Sequence, residues 1–158
     1  MQPIVIPFTS GNLGRVGFDA YVMAGDRKTL GKVRFKLDSG SDFTTLSCTA
    51  LKVLGYTEGF LKSCPFYETK ASTASDEFNL PLRYIPNISI KFGDRELQGC
   101  RVFFALGTKL RSLFGNDILK YFNREINYDA GEMRLSGRKS SPQLSDGEVP
   151  VRIYSLDA

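Results

Sequence analysis

The chain has 158 residues, 42% of them hydrophobic and 24% charged, with a formal net charge of +4; one hydrophobic core is the expectation at that size, and a two-lobed enzyme is not expected. Histidine is absent, which removes Ser-His-Asp and Cys-His catalysis and most zinc sites, and leaves acid-base chemistry to carboxylates, Lys, Tyr or Cys. No apolar run reaches the ~20 residues of a membrane helix, and residues 1–8 lack the basic-then-apolar pattern of an export signal. Cys48, Cys64 and Cys100 are odd in number, far apart and free of any CxxC, so they read as reduced thiols; a cytoplasmic location with no membrane segment is expected. The 21 basic residues are scattered among 17 acidic ones, the pattern of a solvated surface, and no nucleic-acid partner is expected.

In chain order, residues 16–24 alternate and carry β-formers, 25–31 are rich in turn residues, and 32–37 alternate again with Val33, Phe35 and Leu37 on one side. This predicts a hairpin running into Asp38. Ser47 is placed to cap a short helix through Leu54, with Gly55 where helices commonly end. Residues 64–84 are mixed, and 70–76 are small and polar, predicting a loop or a long hairpin. Residues 88–92 and 97–105, about a Gly93-Asp94 turn, predict a second strand pair. Leu113 and Phe114 lead to Gly115, after which Asn116 or Asp117 caps a helical turn through Phe122. Residues 125–128 and 132–135 form another hairpin about Asp129-Ala130-Gly131. Residues 136–148, rich in Gly, Ser, Pro and charge, read as a linker, and 149–156 suit one more strand at an edge or an interface.

Two stretches carry the chemistry: Phe35-Lys36-Leu37-Asp38-Ser39-Gly40-Ser41-Asp42-Phe43-Thr44-Thr45-Leu46-Ser47, and later Ser112-Leu113-Phe114-Gly115-Asn116-Asp117-Ile118-Leu119. Together they resemble the signature of the retropepsin-like aspartic proteases. That signature is an apolar strand, Asp-Thr/Ser-Gly-Ala/Ser, a second alternating strand, and then two apolar residues and a glycine before a short helix. The likeness runs over about residues 16–135. It implies a mostly β fold, a retropepsin-like closed β-barrel subunit with one or two short helices, over residues 1–135. A polar linker and C-terminal segment, 136–158, would follow as a possible edge or interface strand.

The residues suit the roles this resemblance implies. Asp38 is the catalytic carboxylate, Ser39 keeps a hydroxyl for cross-subunit hydrogen bonding, and Gly40 has no Cβ and lets two such loops approach. Ser41 can donate to the Asp38 carboxylate, and Gly115 lets the 113–114 strand pack beneath the loop. Asp117 caps the helix and is not catalytic. Ala71, Ser72, Thr73 and Ala74 fall where the family carries its substrate-covering flap, although residues 69–78 contain none of the glycine usual there.

Such chemistry needs two carboxylates, one ionised to take a proton from water and one protonated to polarise the scissile carbonyl. Like charges so close share one proton. The Asp-Ser-Gly loop occurs once and no repeat doubles it; Asp129-Ala130-Gly131 lacks the hydroxyl and reads as a hairpin turn. A symmetric homodimer is therefore expected, supplying a second Asp38. The expected activity is that of an endopeptidase needing no metal or organic cofactor, acting on an extended peptide with apolar residues beside the cut bond. Two other readings remain open: a catalytically silent retropepsin-like dimerisation or peptide-binding module, suggested by the glycine-free flap, and a basic β-barrel that binds nucleic acid. In the interleaved bases and aromatics at 120–124, a helix with its apolar face in the core is favoured over a nucleic-acid surface.

Overall fold

The computed structural model describes residues 2–11, 14–23, 29–67, 81–107, 109–145 and 147–155. Its order is β1 (Ile4–Pro7), β2 (Thr9–Ser10), β3 (Val16–Met23), β4 (Leu30–Leu37), α1 (Cys48–Val53), α2 (Glu58–Ser63), β5 (Arg83–Phe92), β6 (Arg95–Phe104), β7 (Leu113–Phe114), α3 (Asn116–Leu119), β8 (Phe122–Asn127), β9 (Glu132–Gly137) and β10 (Arg152–Ser155).

The alternation in β3 and β4 becomes a ladder with Phe18 opposite Phe35 and Ala20 opposite Val33, so one face is apolar along both strands. The larger sheet runs β10-β6-β5-β3-β4-β7, with β2 beside β3. Residues 44–46 join β7, at one end, to the C-terminal half of β6, beyond the stretch of β6 that pairs with β10. Thr45 exchanges backbone hydrogen bonds with Leu113 at 2.9 and 3.1 Å, Leu46 N–H donates to Phe103 at 3.0 Å, and Phe103 N–H donates to Thr44 at 2.9 Å. The curled sheet closes through this seam, which covers the free side of β7 and of the C-terminal half of β6. A smaller sheet, β1-β9-β8, buries Ile4 and Ile6 against Met133 and Leu135.

Phe114, from the two-residue β7, is fully buried among Phe18, Phe35 and Phe92, with ring centroids 5.3, 5.6 and 5.9 Å away. Edge-to-face contacts at this spacing add to the gain from area burial and fix β7 against β4. Strands β4 and β7 thus stand on an aromatic part of the core.

Ser47 caps α1 as its sequence indicates, accepting the Ala50 N–H at 3.1 Å, and Gly55 after the helix has a positive φ of 94°. Helix α2 is not evident in the sequence, because among its residues Leu61 alone is buried and no helical period shows; the legible sign is Thr57, whose hydroxyl accepts the Phe60 N–H at 3.1 Å. Strand β5 begins earlier than expected. Asn87 has φ 60° and the pairing register shifts between Ile85 and Ile88, so a bulge breaks the alternation that marks strands in sequence. The helix expected to reach Phe122 ends at Leu119. Phe122 opens β8, so the 120–124 stretch is a turn and a strand in place of the expected helix face.

The segment after β9 is tied down at several points. Lys120 Nζ donates to the Gln143 carbonyl at 3.0 Å and to Glu148 Oε1 at 2.6 Å, and Arg101 donates to Ser145 Oγ at 3.1 Å. Strand β10 then pairs with β6 within the same chain, and β1 pairs with β9. No helix among the described residues is long and apolar enough to cross a membrane.

Candidate active site

The site is built where β4 and β7 run side by side in parallel. Lys36 N–H donates to the Ser112 carbonyl and Asp38 N–H to the Phe114 carbonyl, both at 3.0 Å, so β7 guides β4 up to the aspartate. The chain then turns. Ser41 N–H donates to the Asp38 carbonyl at 3.1 Å, and Gly40 N–H donates to Asp38 Oδ1 at 3.0 Å, which fixes the carboxylate rotamer. Asp38 is half-buried, and Ser39 and Gly40 are exposed beside it. Asp38 makes no ion pair with any described residue.

Helix α3 holds this loop from the other side. Asn116 Nδ2 donates to the Ser39 carbonyl at 2.5 Å and Asn116 N–H donates to the Ser41 carbonyl at 2.9 Å. A Cβ on Gly115 would stand 2.4 Å from the Phe43 carbonyl oxygen and 3.0 Å from that of Ser41, so only glycine lets α3 start so close to the loop. Beneath, the Thr44 hydroxyl accepts the Gly115 N–H at 3.1 Å and donates to Asp117 Oδ1 at 2.6 Å; that oxygen also accepts the Ile118 N–H at 3.0 Å. Burial pushes the Asp117 carboxyl above the usual range, and its bonds to Thr44 and Ile118 oppose that shift.

Asp38, Ser39, Gly40, Ser41 and Gly115 thus come together. One expected contact differs: the Ser41 hydroxyl donates to the Phe43 carbonyl at 2.8 Å, not to the Asp38 carboxylate. A serine hydroxyl readily bonds backbone two residues on, and here that local turn captures it. Ala71, Ser72, Thr73 and Ala74 lie outside the described residues.

Sequence reasoning missed Thr44 and Asn116, whose partners are distant in the chain, and an aromatic wall. Phe43, three residues past Gly40, packs on Phe103 at 4.6 Å and Tyr67 at 5.2 Å, and Tyr84 completes the group 5.9 Å from Phe103. The Arg101 guanidinium lies 5.4 to 5.9 Å from the rings of Phe103, Tyr67 and Tyr84. Cys100 is buried in β6, and desolvation raises its thiol pKa, the behaviour of an inert core thiol and not of a nucleophile. Among the described residues no group of three or more Cys, Asp or Glu gathers closely enough to hold a metal ion.

No protein-family model matches the sequence, and no curated protein is significantly similar to it. Among solved structures the chain is similar to a retropepsin-like aspartic protease from Rickettsia conorii, at 21% identity and a TM-score of 0.56, over 84% of this chain and 89% of that one. At such identity the likeness bears on architecture alone. A mostly β chain, its sheet curled and closed at Thr45, carrying Asp38 on the loop that follows β4 and is held by α3, has a retropepsin-like fold.

Proposed function

We propose that this chain is an aspartic endopeptidase that acts as a symmetric homodimer, with Asp38 of each subunit forming the catalytic pair. The observation that carries this reading is the Asp38 loop itself. It is pinned from below by β7 and α3 yet presents Asp38, Ser39 and Gly40 outward, with no second carboxylate paired to Asp38 among the described residues. A two-fold axis beside the loop would bring an identical carboxylate to face the first. Gly40 permits the approach, and the exposed Ser39 is placed to hydrogen-bond the equivalent loop.

One Asp38 carboxylate, ionised, takes a proton from a water held between the pair, and the water oxygen attacks the scissile carbonyl carbon. The other, protonated, gives its proton to the carbonyl oxygen. Collapse of the tetrahedral diol breaks the C–N bond as a carboxyl proton moves to the leaving nitrogen and a diol hydroxyl gives its proton to a carboxylate, so the pair returns to its shared-proton state. The partly exposed rings of Phe43, Tyr67 and Tyr84, backed by the buried Phe103, would suit an extended peptide with apolar side chains beside the cut bond.

Incubation of wild-type protein and Asp38→Asn with a diverse peptide library, from acidic to neutral pH, tests the proposal. Cleavage lost in the variant while its fold persists is the expected result. Cleavage by Asp38→Asn near the wild-type rate would remove Asp38 from the mechanism, and no cleavage by a verified wild-type dimer would leave a silent retropepsin-like module.

A further inference from the structure

We infer that the groove between β4, α1 and residues 109–112 is a docking site for an extended acidic peptide segment, separate from the Asp38 chemistry. A cavity of about 690 Å³ opens there, and its lining includes Arg34, Lys36, Lys109 and Arg111 but no carboxylate. A smaller recess of about 230 Å³ continues it along Lys32 and Arg34 against Val53 of α1. Asp19 pairs with Lys32 at 3.6 Å and with Arg34 at 3.5 Å. Lys36, Lys109 and Arg111 form no ion pair with any described residue, so the unneutralised charge is gathered at one end of the groove.

The backbone points to a peptide. The Lys36 N–H faces β7, and by the two-residue period of a strand the peptide groups of Arg34 and Lys32 face the same side. Of β4, only Lys36 and Leu37 pair with β7, and no other described strand continues the ladder beside Lys32 and Arg34. Lys32, Arg34 and Lys36 project from alternate positions, about 7 Å apart, the spacing at which alternate side chains of an added strand would meet them. Charged side chains on a strand edge ordinarily repel a second strand. Cations repel a neutral or basic strand and receive an acidic one, with Arg111 able to grip a carboxylate in a forked geometry, while Arg34 is held by Asp19 and Thr9. Nucleic acid fits less well, because among the described residues the only ring lining the groove is that of Phe35, which is 1% exposed and offers no face for base stacking.

The test uses the full chain carrying Asp38→Asn, so that no peptide is consumed and the outcome does not depend on catalysis. Fluorescence anisotropy follows a labelled peptide of about ten residues, alternating aspartate and threonine, with a lysine-for-aspartate peptide, single-stranded DNA and an alternately N-methylated aspartate peptide as comparators. The acidic peptide should bind, more weakly as salt rises, and Lys109→Glu with Arg111→Glu should weaken it about tenfold or more. Lys139→Glu, an exposed cation elsewhere, should change little, and N-methylation should weaken binding while all the charges are kept. Because both groove positions are exposed, the variant should melt like the parent, and Lys109→Gln with Arg111→Gln gives a milder second measurement. Absence of binding, binding unchanged by both groove variants, or equal loss with Lys139→Glu would overturn the site. DNA binding as tight as the peptide's, or indifference to N-methylation, would overturn docking of a peptide strand.

Discussion

The Thr44 hydroxyl donates to Asp117 Oδ1 at 2.6 Å while accepting the Gly115 N–H at 3.1 Å, tying the strand after the Asp38 loop to the first turn of α3. Thr44→Val keeps the side-chain volume and removes both bonds. The buried Gly115 N–H would then lack a partner and Asp117 Oδ1 would lose the Thr44 hydroxyl while keeping the Ile118 N–H, at a cost of about 1–3 kcal/mol. Urea unfolding measures the loss, and a change within error would mean that the pair contributes nothing net.

Asp117 gives a pH signature. Burial raises its carboxyl in the folded state, so between its unfolded and its folded value the native chain binds more protons than the unfolded one. Its contribution to stability is therefore full below the unfolded value and falls as pH rises through that window. Asp117→Asn keeps an oxygen to accept from Thr44 and Ile118 and removes the ionisation. Its stability relative to the wild type should increase as pH climbs out of the acid range, and parallel stability curves would contradict this assignment. Thr44→Val and Asp117→Asn share a bond and should not be additive.

The two loop glycines should behave differently. Gly115→Ala places a methyl 2.4 Å from the Phe43 backbone and is expected to cost about 3 kcal/mol, toward the upper end of overpacking, or to abolish folding. Gly40→Ala meets only Asp38 Oδ1, at 3.3 Å. That protein should fold with a displaced carboxylate and reduced peptidase activity. Melting curves with cleavage rates separate the two cases, and equal melting temperatures would refute the distinction.

Glu148 anchors the C-terminal segment. Its carboxylate meets Lys120 at 2.6 Å and Arg101 at 3.5 Å, and the Arg101 and Glu148 side chains are almost wholly buried. Glu148→Gln leaves two cations without their anion and is expected to cost about 3 kcal/mol. It should also expose residues 138–155 to limited proteolysis. Protection equal to wild type would show that β10 alone holds the segment.

The homodimer proposal predicts subunit poisoning. An excess of Asp38→Ala chain, mixed and allowed to exchange, should drain wild-type activity into heterodimers with one aspartate. Specific activity should also fall on dilution below the dimer dissociation constant. Full activity from a verified monomer would overturn the shared pair.

The sequence by itself determined what rests on neighbours in the chain. Alternation at Val33, Phe35 and Leu37 defines β4, Ser47 and Gly55 bracket α1, and the Asp38-Ser39-Gly40 turn with its distal Gly115 points to the retropepsin-like fold, because these signals need only a strand's period, a cap or a missing Cβ. Even locally, Ser41 had two acceptors within reach, and the turn geometry gave its hydroxyl to Phe43. The tertiary structure decided which distant groups meet. Thr44 and Asp117 are 73 positions apart, and Asn116 lies 77 from Ser39. The seam at Thr45 pairs with Phe103 on one side and Leu113 on the other. The basic groove likewise joins Lys36 to Lys109 and Arg111 across the parallel β4 and β7 pair. No local pattern encodes such meetings, because they follow from the path of the whole chain once its phenylalanines have packed around Phe114.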